Sequence, residues 1–311
     1  MATLRTVTLS TGFDDHYTVE GFQWGGVGRT VSFASVPSGK GVSCARAARD
    51  LGLPVMAYAA VGRDDAVLYR ARTQAEGLPA TLVEVPGPIR HNLTVLDGSG
   101  QRTAAHLMGE RPRQEPGHVA PLFERLLSDI RPGDIVTLNG AIPPGLEPTT
   151  WAQLVVSLEG SGAQVIVDAQ GEAFAACLHG PRVTAFKPNA DEILALPRVD
   201  GASEPVATAL QVMQPVAEIP LVSLAERGVA TLVDGEVVRL ACPVERAVVS
   251  VMAGDTFVAG MAWALMQGQR EAESVLGHAL AAASAYVAGT PPQQRLDQAM
   301  ANLARIQRIR L

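Results

Sequence analysis

Asp134–Asp168 reads DIVTLNGAIPPGLEPTTWAQLVVSLEGSGAQVIVD. Its ends, Asp134–Leu138 and Gln164–Asp168, are short runs rich in Ile and Val. Between them Thr149–Glu159 carries apolar residues at three- and four-residue spacing. That pattern predicts a strand, a helix and a second strand, the unit from which parallel sheets are built.

On either side the pattern recurs. Strands are expected at Leu4–Leu9, Pro54–Ala60, Val183–Lys187 and Ile219–Ser223, and helices at Gly41–Leu51, Asp64–Glu76, His118–Asp129 and Asp255–Gln267. Right-handed crossovers would join these into a layered α/β fold with a mainly parallel central sheet flanked by helices. Two stretches, residues 17–34 and 89–107, break the alternation. They are β-branched or alternating and too poor in helical pattern for a helix, so they are expected to pair as a small separate sheet. The expectation is one domain over residues 1–311, with a β-sheet lid of about 15–36 and 88–108 inserted in it. After Ser223 a hairpin is expected, Ala230–Val233 and Val237–Leu240 around Asp234-Gly235, followed by three Ala-rich helices. Val248–Val251 reads as a further buried strand.

Hydrophobic residues at 47% and charged residues at 18% suit a globular chain with a buried sheet. A net charge of -6 argues against a nucleic-acid partner, which needs clustered cations to displace counterions. Cys44, Cys177 and Cys242 are too few and too scattered for a disulfide framework or zinc site and read as free core thiols. Met1–Ser10 lacks the pattern of a signal peptide, and no window approaches 18 unbroken apolar residues. A cytoplasmic protein without membrane contact is expected.

Chemistry is expected first at Ala253-Gly254-Asp255-Thr256, where an apolar run meets a helical pattern. Small residues let backbone amides approach a ligand, and the N-terminal end of a helix favours a phosphate. Asp255 there has two readings, a helix cap or a general base acting on a hydroxyl. The turn alone leaves both open.

That turn resembles the GAGD signature of the PfkB, or ribokinase-like, carbohydrate kinases, with Met252 in place of the first glycine. Other motifs follow in the family's order. VTLSTGFD at Val7–Asp14 is similar to the opening strand that ends NPxxD, and PSGKGVSCAR at Pro37–Arg46 to GGKGxNxA. IRHNLT at Ile89–Thr94 resembles TRxNxK without its lysine, and NGAIPPG at Asn139–Gly145 resembles GSLPPG. KPNADE at Lys187–Glu192 matches KPNxxE, and SLAERG at Ser223–Gly228 resembles SLGxxG, with Ala225 for its first glycine. The resemblance spans essentially the whole chain and points to the 1-phosphofructokinase and tagatose-6-phosphate kinase branch.

It implies a ribokinase-like fold and ATP-dependent phosphorylation of a ketohexose phosphate, with fructose 1-phosphate favoured over tagatose 6-phosphate and fructose 6-phosphate. Asp255 would be the catalytic base, and the amides of Ala253, Gly254 and Asp255 would stabilise the transferring phosphoryl group. Asp14, Gly39, Lys40, Ser43, Arg90 and Asn92 would hold the sugar phosphate. Lys187, Ser223, Ala225, Gly228 and Gly254 would meet ATP, and Asn189 and Glu192 would organise magnesium through water. A homodimer formed through the lid is also implied. The alternatives are a sugar-phosphate or nucleotide sensor with weak catalysis, and a ribose or nucleoside kinase. Met252, Ser38, Ser43 and Thr94 depart from the family pattern, and a left-handed Met252 would carry strain of roughly 1–2 kcal/mol.

Overall fold

The computed structural model describes residues 2–98 and 103–310. In chain order the strands are β1 (Leu4–Thr8), β2 (Gly12–Glu20), β3 (Arg29–Ser38), β4 (Val55–Gly62), β5 (Ala80–Val85), β6 (Arg90–Leu96) and β7 (Thr103–Leu107). They continue with β8 (Ile135–Asn139), β9 (Gln164–Asp168), β10 (Val183–Phe186), β11 (Ala217–Ser223), β12 (Val229–Val233), β13 (Glu236–Ala241) and β14 (Gln307–Arg310). The helices are α1 (Lys40–Asp50), α2 (Ala66–Ala75), α3 (Pro116–Asp129), α4 (Thr150–Leu158), α5 (Gly171–Cys177), α6 (Ala190–Leu194), α7 (Pro205–Met213), α8 (Ala253–Met266), α9 (Ala272–Val287) and α10 (Arg295–Leu303).

The large sheet runs β14-β13-β12-β11-β10-β9-β8-β1-β4-β5. Pairing is parallel from β11 to β5 and antiparallel from β11 to β14. Alternation along the strands feeds two cores, because successive side chains leave opposite faces. Ile135, Ile166 and Leu221 join the face covered by α1, α8, α9 and α10. Val136, Val167 and Val222 join the face covered by α3 to α7. α8 is buried on every side from Thr256 to Leu265, between α1 and α9. Gly260 permits this, since a Cβ there would lie 2.7 Å from Ala279 Cα. Among the described residues no helix is long and apolar enough to cross a membrane.

Register decides where chemistry gathers. Thr8 at the end of β1 pairs with Asn139 at the end of β8, which pairs with Asp168 at the end of β9. These are the carboxyl ends of parallel strands, the edge at which open α/β sheets bind ligands. A second sheet, β3-β2-β6-β7, stands over that edge. It is antiparallel except between β2 and β6, where Gly12 pairs with Arg90 and Asp14 with Asn92. It starts at Gly12, earlier than the expected residue 15.

The expected hairpin forms, with Asp234 and Gly235 both at positive φ as a two-residue turn of this hand requires. The strand expected at Val248–Val251 does not. The outer edge of β13 is taken by β14, a strand the pattern did not reveal, so this run does not pair with β13. Val248 and Val249 instead donate their N–H groups to Val287 C=O at the end of α9, and Val248 and Val251 stay 60% and 64% exposed. β5 and the helices α5 and α7 were likewise not anticipated.

Trp151 ties the second core to the ligand edge. It is fully buried on α4 beside Phe123, and its indole N–H donates to Gly140 C=O at 3.0 Å. Trp151→Ala should cost about 3–5 kcal/mol. Trp151→Phe retains most of the packing and should cost far less, including about 1 kcal/mol for the lost hydrogen bond. Urea midpoints of the two variants test this.

Candidate active site

A cavity of about 240 Å3 opens between the strand ends, the start of α8 and the second sheet. Asp14, Gly39, Lys40, Ser43, Arg90, Asn92 and Asp255 all line it, so the residues expected around an acceptor do converge. Ser10, Ser38, Asn139, Met252, His106 and Arg111 line it as well. Among the described residues seven buried side-chain polar atoms have no partner, and four of them belong to this lining: Ser10 Oγ, Ser38 Oγ, Arg90 Nε and Asn139 Oδ1. Buried polar groups are nearly always bonded, so such a concentration marks a place shaped for a polar ligand.

Glycines set the wall. Gly39 starts α1 at φ 130°, a conformation that strains any side chain. The Gly41 N–H donates to Thr8 Oγ1 at 2.8 Å, and a Cβ there would lie the same distance from that oxygen. Lys40 is thereby fixed in the first turn of α1. In the second sheet Gly12 leaves room for Arg90, whose Cγ would sit 2.8 Å from an added Cβ. Asn92 donates to Asp14 Oδ1 at 2.6 Å, holding that carboxylate at the cavity wall.

Beneath the cavity Asp168, 1% exposed, meets Lys187 Nζ at 3.1 Å and Lys40 Nζ at 3.4 Å. Burial alone would raise its pKa, but the two ammonium groups outweigh that and hold it below the ordinary carboxylate value. Burial likewise opposes the charge on Lys40, and Asp168, Asp255 and Glu192 together more than compensate. Asp255 opens onto the cavity but is otherwise enclosed. Burial first, then the negative charge of Asp168, pushes its carboxyl up to about 7, with Lys40 and Lys187 acting in the opposite sense and Asp14 adding to the rise. An acid poised near neutrality suits proton transfer.

Asp255 is not a helix cap. Met252 holds the cap position of α8, at φ 68° and ψ 2°, and no side chain bonds the exposed amides there. The first helical bond joins Thr256 N–H to Met252 C=O, while Ala253 N–H is held by Ser250 C=O. Of the three amides expected to face a phosphate, those of Gly254 and Asp255 remain for it. Ala225 is also left-handed, at φ 52°. Two of the three positions where the chain lacks a glycine of its motifs, Met252 and Ala225, therefore keep a conformation that glycine favours, each at a cost of roughly 1–2 kcal/mol, while Ser38 does not.

The residues expected around a nucleotide lie outside the cavity lining, and one of them, Lys187, belongs to the ion cluster. An added Cβ at Gly254 would lie 3.6 Å from Lys187 Nζ. Ser223 donates its N–H and its hydroxyl to Pro188 C=O. Gly228, at φ 97°, allows Leu240 C=O to approach within 2.0 Å of where a Cβ would stand. Asn189 and Glu192 form a capping box at α6: Asn189 Oδ1 accepts from the amides of Asp191 and Glu192, and Glu192 Oε2 accepts from Asn189 N–H. Among the described residues no group of three or more His, Cys, Asp or Glu could hold a metal.

Sequence reasoning assigned no role to Asp168. Its position as the last residue of a parallel strand was the available signal. Arg111 and His106 carried no signal of their own, because they reach the cavity only through the path of the second sheet.

The family model described as "pfkB family carbohydrate kinase" matches residues 14–294. A 1-phosphofructokinase of Xanthomonas campestris pv. campestris is 30% identical over 276 residues, covering 86% of each chain. A 1-phosphofructokinase of Haemophilus influenzae is 26% identical over 281 residues, covering 88% of each. The crystal structure of phosphofructokinase-2 from Escherichia coli in complex with fructose-6-phosphate superposes with a TM-score of 0.87 at 24% identity, covering 98% of this chain and 100% of that one. With the motifs in order and the converging cavity, the chain belongs to the pfkB family of carbohydrate kinases.

Proposed function

We propose that this protein transfers the γ-phosphoryl group of ATP to a hydroxyl of a ketohexose phosphate, with fructose 1-phosphate the favoured acceptor. Tagatose 6-phosphate and fructose 6-phosphate follow. The observation that carries this reading is the arrangement of one cavity: an enclosed Asp255 with a near-neutral pKa at one side, and the unpartnered guanidinium of Arg90 with Asp14 at the other. The names of the 30% and 26% identical relatives support the choice of acceptor.

In this reading Asp14, Lys40 and the hydroxyls of Ser10, Ser38 and Ser43 orient the sugar, and Arg90 takes its phosphate in a bidentate fork. Asp255 accepts the proton of the attacking hydroxyl. The amides of Gly254 and Asp255 and the charge of Lys187 stabilise the transferring group, since phosphoryl transfer depends chiefly on positioning and electrostatics. Ser223, Ala225 and Gly228 line the nucleotide side.

Magnesium would rest on phosphate oxygens and its own waters more than on the protein, where one Glu192 oxygen is not used by the cap and, among the described residues, no group of three or more His, Cys, Asp or Glu could hold it. When bound it neutralises phosphate charge. Asn189 acts by fixing Glu192.

The second sheet would serve as a lid that excludes water. Its outer surface exposes Val31 and Phe33 at 53% and 52%, with Trp24 at 81%, which favours pairing with a second copy through the lid. A cytoplasmic location fits the need for ATP.

An ADP-release screen with fructose 1-phosphate, fructose 6-phosphate, tagatose 6-phosphate, fructose, ribose and adenosine tests the activity; fructose 1-phosphate should give the highest kcat/KM. Binding without turnover for all six would leave the sensor reading, which the strained Met252 at the mouth of α8 favours.

Asp255→Asn should lower kcat by about two to four orders of magnitude, and full turnover would remove Asp255 as base. With a pKa of about 7, kcat/KM should rise as pH climbs through that value. The sign for stability is opposite. Between roughly pH 4 and 7 the folded chain holds a proton that the unfolded chain has released, so this group's contribution is present at low pH and lost as pH rises through about 7. Asp255→Asn should abolish that dependence in urea titrations run from pH 5 to 8.

Sedimentation at micromolar concentration should give a dimer, and Phe33→Asp should give a monomer; a wild-type monomer would remove the lid-to-lid reading.

A further inference from the structure

Arg111 lies between β7 and α3, outside every motif that points to chemistry, and yet lines the same cavity as Arg90. Burial first, and then the nearby charge of Arg111, depress the pKa of Arg90; Asp14 and Tyr69 act in the opposite sense. Among the described residues neither arginine forms a salt bridge. Arg90 Nε is buried without a partner, and one oxygen of the neighbouring Asp14 is engaged by Asn92. Thr94, two residues after Asn92 on β6, supplies no charge; its hydroxyl bonds His106 Nδ1 at 2.9 Å.

The segment that carries Arg111 is pinned in place. Gly109 N–H donates to Asn92 Oδ1 at 3.2 Å, while the amide of the same Asn92 side chain donates to Asp14. The approach is so close that a Cβ at residue 109 would lie 2.3 Å from His91 C=O. One side chain thus ties the carboxylate on the sugar side to the strap that brings Arg111 to the cavity.

Two guanidiniums directed at one space exceed the single charge of the neighbouring Asp14, which favours an anion there, and their planar forks match a phosphate. We propose that Arg111 is a second phosphate-binding arm, closing with Arg90 on the phosphoryl group that the acceptor already carries. The inference rests on the sugar-phosphate reading given above and adds the residue that makes that preference strong.

Calorimetric titration of fructose 1-phosphate, fructose 6-phosphate and fructose into the wild-type protein, Arg111→Ala and Arg111→Lys tests it. Arg111 is exposed on its outer side, so the fold should survive both changes, as circular dichroism will verify. The wild-type protein should bind a phosphorylated sugar at least about tenfold tighter than fructose. Arg111→Ala should weaken the phosphorylated sugar by about ten- to a hundredfold, leave fructose unchanged, and be partly rescued by Arg111→Lys. If Arg111→Ala keeps the wild-type preference, the second arm is wrong while the sugar-phosphate reading stands. If the wild-type protein shows no preference, the sugar-phosphate reading falls and the arm with it.

Discussion

The carboxylate of Asp168 holds the site together. Lys40 sits in the first turn of α1, where the helix dipole disfavours a cation, and Lys187 is 7% exposed at the end of β10. One anion between them, at 3.1 and 3.4 Å, pairs with both and fastens three separate elements at the carboxyl edge of the sheet. Removing Asp168 would leave two cations side by side without their shared counter-charge, which is strongly destabilising.

The same cluster sets the state of Asp255. Its carboxyl is raised because it is enclosed and stands near the negative Asp168, and it is kept from rising further by the two lysines. Acid and cations thus adjust one another, and the cavity above them is left with unpartnered hydroxyls and a guanidinium. Strain is held in the left-handed Met252 at the cavity and in Ala225 outside its lining. Functional sites commonly store strain of this kind in their backbones.

Much of the scaffold was legible. Strands buried on both faces read as Ile- and Val-rich runs, helices between them kept a three- and four-residue period, and Asp234-Gly235 announced its hairpin. Boundaries agreed within a few residues. The acceptor-side residues were legible as short motifs, since Gly39, Lys40 and Gly41 serve a local geometry that neighbours in sequence complete. Val248–Val251 misled because a β-branched run says nothing about whether an edge is open, and β14 had already closed the edge of β13.

Residue order alone was enough for the alternation of elements and the turn that starts α8, because periodicity and glycine placement act over a few residues. Three-dimensional packing was needed to show that Asp168 joins Lys40 to Lys187, that Asp255 is an enclosed acid and no cap, and that Arg111 shares a cavity with Arg90. Each of these is a matter of charge and burial between segments far apart in the chain, and such distances are settled by sheet register and packing.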